Sequence, residues 1–207
     1  GRRRDHGTRS NLHSSETSGT LTRPRLRKET SVSETPNLET ERLLLRPIEI
    51  ADAPRVRELA GDRDIAATTA TVPHPYEEGM AKAWISSLQA SDGVPCTTFA
   101  ITLKPERALV GVIGLTLEEH QNAAELGYWV GKPHWNQGIC TEAAAEIVRY
   151  GFSTLKLHRI EARHMLKNPS SGRVMEKIGM THRENLARNI ERFGTWEDVA
   201  VYEVKRT

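Results

Sequence analysis

The sequence holds only two cysteines, Cys96 and Cys140. They are too few and too far apart for a disulfide framework or a thiolate metal cluster, and a reducing, cytoplasmic setting fits them. No apolar run approaches the roughly 18 residues that would cross a bilayer, which excludes a transmembrane helix. The eight histidines form neither an HxH nor an HExxH spacing, so no metal is expected. No Gly-Lys-Ser/Thr closes a glycine-rich loop, and the glycines at 127, 131 and 138 miss the GxGxxG spacing. Both a P-loop and a dinucleotide fingerprint are therefore excluded.

The formal net charge of +2 conceals an asymmetry. Residues 1–35 carry eight Lys/Arg against four Asp/Glu, whereas the rest carries 21 against 23. The body thus lacks the basic footprint of a nucleic-acid binder. Residues 1–36 contain no aromatic residue, and only Leu12, Leu21, Leu26 and Val32 as large aliphatics. Such a segment cannot offset its ordering entropy by burial, so it reads as a disordered basic tail, with the domain over 37–207. The tail's composition fits a transit segment or vector-derived residues. An RNA- or membrane-binding arm is its sharper alternative.

The most informative stretch runs from Leu126 to Ala145, LGYWVGKPHWNQGICTEAAA. Leu126, Tyr128 and Val130 alternate with Gly127 and Trp129, as in a strand. Gly131 and Pro133 break it, and Ala143, Ala144, Ile147, Val148, Phe152 and Leu155 then recur at helical spacing to about Thr154. The first turn of a helix leaves backbone N–H groups unpaired and carries partial positive charge, so a phosphate or pyrophosphate suits the loop before it. Gly138 lets the backbone approach an anion, and no acid occurs from Gly127 to Thr141. Glu142 follows and has to point away. By spacing alone, an ordinary strand-to-helix connection explains the stretch equally well.

PHWNQGICTEAA resembles motif A of the GNAT acyl-CoA N-acyltransferases, in the branch typified by the RimJ/RimL ribosomal-protein acetyltransferases, where it commonly reads P-x-W-G-x-G-x-A-T-E-A. Pro133, Trp135, Gly138, Thr141, Glu142 and Ala143 match, whereas Asn136 replaces a usual glycine and Cys140 a glycine or alanine. Two further stretches resemble the branch. The opening LETERLLLRPIEIADA is similar to T-x-R-L-x-L-R-x5-D-A, and NPSSGRVMEKIGM matches N-x-x-S-x-x-V-x-x-K-x-G-F at Asn168, Ser171, Val174, Lys177 and Gly179. VGVIGL, with Gly111 and Gly114, resembles the family's V-G-x-I-G-L strand, and Asp198 and Tyr202 also fit.

Periodicity supplies the remaining elements. Residues 41–47 read as a strand, followed by a helix capped by Asp52, with Pro54 in its first turn and Gly61 at its end. Residues 62–76 read as a loop, and Glu78 to Leu88 as a helix presenting Met80, Trp84 and Leu88 on one face. Strands at 97–103 and 109–118 flank the turn Lys104–Arg107, and a third covers 124–130. A strand at 158–165, a helix from Ser170 to the stop at Gly179, and a hairpin ending in a strand over 197–204 complete the chain. Hairpins followed by strand–helix–strand predict an α+β fold. The resemblance makes it the GNAT fold, a mixed, mostly antiparallel central sheet flanked by helices.

The resemblance implies acetyl transfer from acetyl-CoA to a primary amine, on a protein N-terminus or a small molecule, by direct attack in a ternary complex. Backbone N–H groups of Asn136, Gln137, Gly138, Ile139, Cys140 and Thr141 would hold the pyrophosphate. Trp129 and Val130 would pair with the pantetheine arm and polarise the thioester carbonyl, and Asn168 and Ser171 would also border the cofactor. Glu125 leads the candidates for the base, with Glu118, Glu119 and His120 behind it, and an exposed, idle carboxylate is the plain alternative for each. The family's usual proton-donating tyrosine falls on Met175, which cannot donate, so Ser171 becomes the candidate; as a plain alternative it caps its helix, a place that Ser170 or Asn168 could equally take. His74 and Tyr76 line the acceptor entrance or merely pack on the core. Cys140 is not expected to be a nucleophile, because no motif supplies a His partner. The rival readings are a non-catalytic acyl-CoA-binding regulatory module and a nucleic-acid binder working through the arm. The resemblance also implies homodimers, which are common on that fold.

Overall fold

The computed structural model describes residues 35–89, 97–118 and 121–206. The basic tail up to residue 34, Cys96, Glu119 and His120 lie outside them. Eight strands form one sheet in the order β1 (Leu38–Glu39), β2 (Leu43–Pro47), β3 (Thr98–Leu103), β4 (Ala108–Glu118), β5 (Ala123–Val130), β6 (Arg159–Met165), β8 (Thr195–Lys205), β7 (Thr181–Arg192). Every neighbouring pair is antiparallel except β5 with β6. The mixed, mostly antiparallel sheet is the expected one.

Strand alternation sends two sets of side chains to opposite faces. Leu126 and Val130 of β5 join Leu43, Leu45, Ile113 and Ile160 in a core completed by α4 (Ile139–Ser153) and Met175 of α5 (Pro169–Lys177). On the other face Ala100, Leu109 and Val112 meet α1 (Ala53–Ala60) and α3 (Met80–Gln89), with Trp129 packed at the margin. In α4, Ile139, Ala143, Ile147 and Tyr150 are buried at helical spacing. Ala143 and Ala144, both without exposed surface, let the helix axis approach the sheet, which fixes where its first turn sits.

Three elements differ from the expectation. The predicted loop over 62–76 contains a short helix, α2 (Arg63–Thr68), because Asp62 accepts a hydrogen bond from the Asp64 N–H at 2.8 Å while Ile65 and Ala66 are buried. In α3 the fully buried residues are Ala81 and Ile85 rather than Met80, which is 36% exposed. The last hairpin is longer than expected, since Phe193 and Gly194 both adopt left-handed φ (52° and 76°) and make a two-residue turn that keeps β7 and β8 paired to their tips.

Asp52 precedes α1 but its carboxylate does not cap that helix. It accepts two hydrogen bonds from the Arg46 guanidinium, at 2.8 and 2.6 Å, and one from the Glu49 N–H at 2.9 Å. Burial pushes the Asp52 carboxyl up, but these bonds outweigh it and hold the group below its usual value. The stability from this pair is therefore present above the unfolded-state value of about 3.9, and is lost as pH falls through the lower folded value. Asp52→Asn, which strands a partly buried guanidinium, is expected to cost about 2 kcal/mol in chemical denaturation at pH 7, between the surface and fully buried limits. The difference from the parent should shrink as the pH is taken below about 4.

Candidate active site

The parallel pair β5–β6 is only half made. Its register runs from Ala123↔Arg159 to Leu126↔Ala162. Beyond that point β5 stays on β4 as far as Val130↔Gly111, while β6 stays on β8 as far as Met165↔Val199. The two strands part, and a cleft of about 1260 Å³ opens between them, bordered by Glu125, Trp129, Gly138, Asn168 and Ser171 among others. The Gly131 N–H donates to the Val110 carbonyl at 2.8 Å. Antiparallel alternation then turns the backbone groups of Gly127 and Trp129 toward β4, and those of Tyr128 and Val130 toward the opening. The Val130 carbonyl accepts from the Trp135 indole at 2.6 Å. The hydrogen-bonding edge thus belongs to Tyr128 and Val130, and Trp129 brings only its ring to the cleft.

Below this edge lies the loop into α4. Asn136 and Gly138 both have left-handed φ, 60° and 77°. Asparagine is among the few side chains that tolerate that region, so Asn136 can stand where a glycine is usual. Gly138 is the N-cap of α4, with Gln137 and Gly138 exposed and the Ile139 side chain turned into the core. Glu142 does point away. It accepts from the Thr40 hydroxyl at 2.6 Å, the Arg42 N–H at 2.9 Å and Arg42 Nε at 2.7 Å. Burial pushes its carboxyl up, but these donors hold it below its usual value. Arg42 also donates to the Gln137 carbonyl at 3.0 Å, which brings a guanidinium against the loop. Sequence reading missed Arg42 as a site residue, because it stands far from the loop in sequence, inside a strand motif.

Glu125 is half-buried and borders the cleft, and among the described residues it forms no hydrogen bond or ion pair. Its register partner Glu161 is 6% exposed yet engaged by Arg159 at 2.7 Å and Arg183 at 2.6 Å. Glu118 is paired with Arg159. Of these three carboxylates, the one at the cleft has no partner among the described residues.

Ser171 does not cap its helix. The N-cap position, Asn168, makes no side-chain cap bond, and Ser170 accepts from Arg173. Ser171 Oγ lies 2.8 Å from the Tyr128 hydroxyl, which also reaches the Ser171 carbonyl at 3.1 Å. Burial pushes the Tyr128 phenol above its usual value. Sequence reading took Tyr128 only as an alternating strand residue, although it is the one phenol in the key stretch. Met175 is 1% exposed in the core. Of the two entrance candidates, Tyr76 borders the cleft, whereas His74 packs on the ring of Phe193 at 6.1 Å. Among the described residues no group of His, Cys, Asp and Glu is placed to hold a metal ion.

Comparison with known proteins adds the following. A family model described as an acetyltransferase (GNAT) domain matches residues 42–181. The N-acetyltransferase YnaD of Bacillus subtilis is 32% identical over 170 residues, which cover 81% of this chain and 96% of that protein. The ribosomal-protein-serine acetyltransferase of Escherichia coli is 31% identical over 75 residues, 36% of this chain and 42% of that protein. The crystal structure of a GNAT-family acetyltransferase from Bacillus anthracis superposes with a TM-score of 0.72 at 29% identity, over 82% of this chain and 98% of that one.

Burial pushes the Cys140 thiol up to about 12, against the lowering that a helix N-terminus would bring. At pH 8 its thiolate fraction is then about a thousandfold below that of an ordinary cysteine. Alkylation of the Cys140 peptide by iodoacetamide, followed by mass spectrometry, should be slower in the folded protein than in denaturant by at least two orders of magnitude, in keeping with that ratio.

Proposed function

The chain belongs to the GNAT acetyltransferase family, and from that premise we propose that it moves an acetyl group from acetyl-CoA to the primary amine of a protein N-terminus or a small molecule, by direct attack in a ternary complex. What supports this reading above all is the parting of β5 from β6 beside a helix N-terminus whose one first-turn acid, Glu142, is held away by Thr40 and Arg42. One cleft then offers an open strand edge for an extended amide-bearing arm and a positive loop for a pyrophosphate.

The geometry supports the following division of labour. Backbone N–H groups from Asn136 to Thr141 hold the pyrophosphate, with Arg42 adding charge from the side. N–H groups of Tyr128 and Val130 on the open edge orient the thioester and stabilise the developing oxyanion. Glu125 takes a proton from the attacking ammonium, whose pKa is about 8 for an α-amine and above 10 for a lysine. The nitrogen lone pair bonds to the carbonyl carbon, the C–S bond breaks, and the departing sulfur takes its proton from the hydroxyl pair Ser171–Tyr128. The second proton, shed by the acylated nitrogen, restores that pair through solvent, while Glu125 releases the first to water. The products are an N-acetylated amine and free CoA. The buried Met175 favours the alternative of a non-catalytic acyl-CoA-binding module, and acetyl transfer to a panel of amines separates the two. A cytoplasmic setting and a homodimer are compatible with this reading. Residues 1–36 take no part in it, so their removal should leave transfer unchanged.

Calorimetric titration of acetyl-CoA into the protein should give micromolar binding that Gly138→Glu abolishes. No binding by the folded parent would overturn the proposal. With a usable amine, Glu125→Gln should lower kcat about a hundredfold at an unchanged KM for acetyl-CoA. Ser171→Ala should cost less than about tenfold, because a thiolate is a good leaving group.

A further inference from the structure

The cleft face of the sheet carries a bare spot. Along β5, Glu125, Gly127 and Trp129 share the face that looks toward α1 and α3, and Gly127 stands opposite Gly114 of β4. Two residues of a strand rise about 7 Å. A floor without side chains therefore separates the carboxylate from the indole by about 7 Å on either side of Gly127.

Gly114 is explained by packing, since a Cβ there would lie 2.8 Å from the Thr97 carbonyl oxygen. Gly127 is not. It lacks a positive φ, and a Cβ at this position would meet nothing within 4 Å. Every other described glycine has either a left-handed φ or a neighbour within 3.0 Å of the added carbon. Glycine in a strand interior is also less favourable than alanine, because it has more backbone freedom to lose and no side chain to pack. The fold bears that cost at Gly127 with no packing or conformational return, so what the missing side chain leaves is room in the cleft.

The chemistry around that room is one-sided. Among the described residues bordering the cleft, Glu125 is the sole carboxylate, whereas Arg163, Arg173 and Lys177 also border it. Val72, Tyr76, Trp84 and Trp129 also border the cleft and pack on the same sheet face as α1 and α3. One ammonium can be matched by a carboxylate here, and a second cannot.

On the reading given under Proposed function, we propose that Gly127 is the seat of the acceptor's side group and sets its size, and that the acceptor is a monoamine with an apolar body: its ammonium meets Glu125 while its carbon body lies over Gly127 against Trp129. A valine at 127 fills the seat without touching either the open edge, since the backbone of Gly127 faces β4, or the anion loop. β-Branched residues suit a strand, so the fold accommodates it.

The test compares 2-phenylethylamine, ethylamine and spermidine as acceptors for the full-length protein. The parent should prefer phenylethylamine to ethylamine in kcat/KM by about thirtyfold, the scale of burying a few apolar carbons in a pocket. Spermidine should be used less well than phenylethylamine. Gly127→Val should lower the ratio of phenylethylamine to ethylamine at least about tenfold. Its calorimetric affinity for acetyl-CoA and its melting temperature should match the parent. An unchanged ratio, or a parent that favours spermidine, overturns the proposal. If the parent acetylates no amine, calorimetry of phenylethylamine into CoA-saturated protein decides. Binding abolished by Gly127→Val upholds the seat although the transferase reading fails, and absence of binding to the parent removes both.

Discussion

Each backbone group in a buried sheet needs a partner, and a parallel pair that stops halfway breaks that requirement at one place. The break between β5 and β6 is sustained because each strand is anchored on its far side. β5 is held by an unbroken antiparallel ladder to β4 that reaches Val130, and β6 by one to β8 that reaches Met165. Of the groups that lose their ladder partners, the Val130 carbonyl is met by the Trp135 indole, and those of Tyr128 and the Val130 N–H open onto the cleft rather than a dry core, so water or a ligand can satisfy them. Closing the gap would require both outer ladders to shear, and interleaved side chains on two faces oppose that. The site is thus a designed vacancy in an otherwise continuous sheet.

The loop under the gap adds a field of fixed sign. Its donors are backbone groups whose direction is set by the packing of α4, and that packing rests on Ala143 and Ala144. A carboxylate in the first turn of the same helix would cancel part of that field if it faced the loop. The β1–β2 turn removes it by binding Glu142 through Thr40 and Arg42. The same arginine then leans on the Gln137 carbonyl. This contact therefore does three things: it neutralises the acid, fixes the edge of the sheet to the helix, and leaves a guanidinium beside the loop.

Local pattern made part of this legible. The loop and α4 could be read from Gly131, Pro133, Gly138 and a regular apolar spacing, and the observed helix ends one residue from the expectation. The motif resemblance brought Glu125 and Ser171 into view, and the structure puts both on the cleft. Features that depend on distant residues were not legible. Arg42 meets the loop across almost a hundred residues of chain, α2 owes its helix to a cap and two buried side chains inside a segment of turn-forming composition, and Tyr128 looks like any aromatic in a strand until α5 is set beside it. Glu161 shows the converse. In the sequence it alternates like an exposed residue, yet it is buried, because Arg159 and Arg183 converge on it from two strands.

α5 presents Met175 to the core and the half-buried Ser171 to the cleft, where a lone serine hydroxyl would be free to rotate. Tyr128 restrains it through two contacts, one to Oγ and one to the backbone carbonyl of the same residue. Burial pushes the phenol upward, which keeps it protonated through the working range. The pair holds two protons, and when the phenol donates to the Ser171 carbonyl the Ser171 hydroxyl donates to the phenol oxygen. Tyr128 also lends its own backbone to the open edge, so one residue of β5 lines the gap with its backbone and holds Ser171 with its hydroxyl. Strand alternation itself separates the two sides: the backbone of Tyr128 lies along the gap, its side chain crosses to α5, and Glu125, Gly127 and Trp129 face the other way.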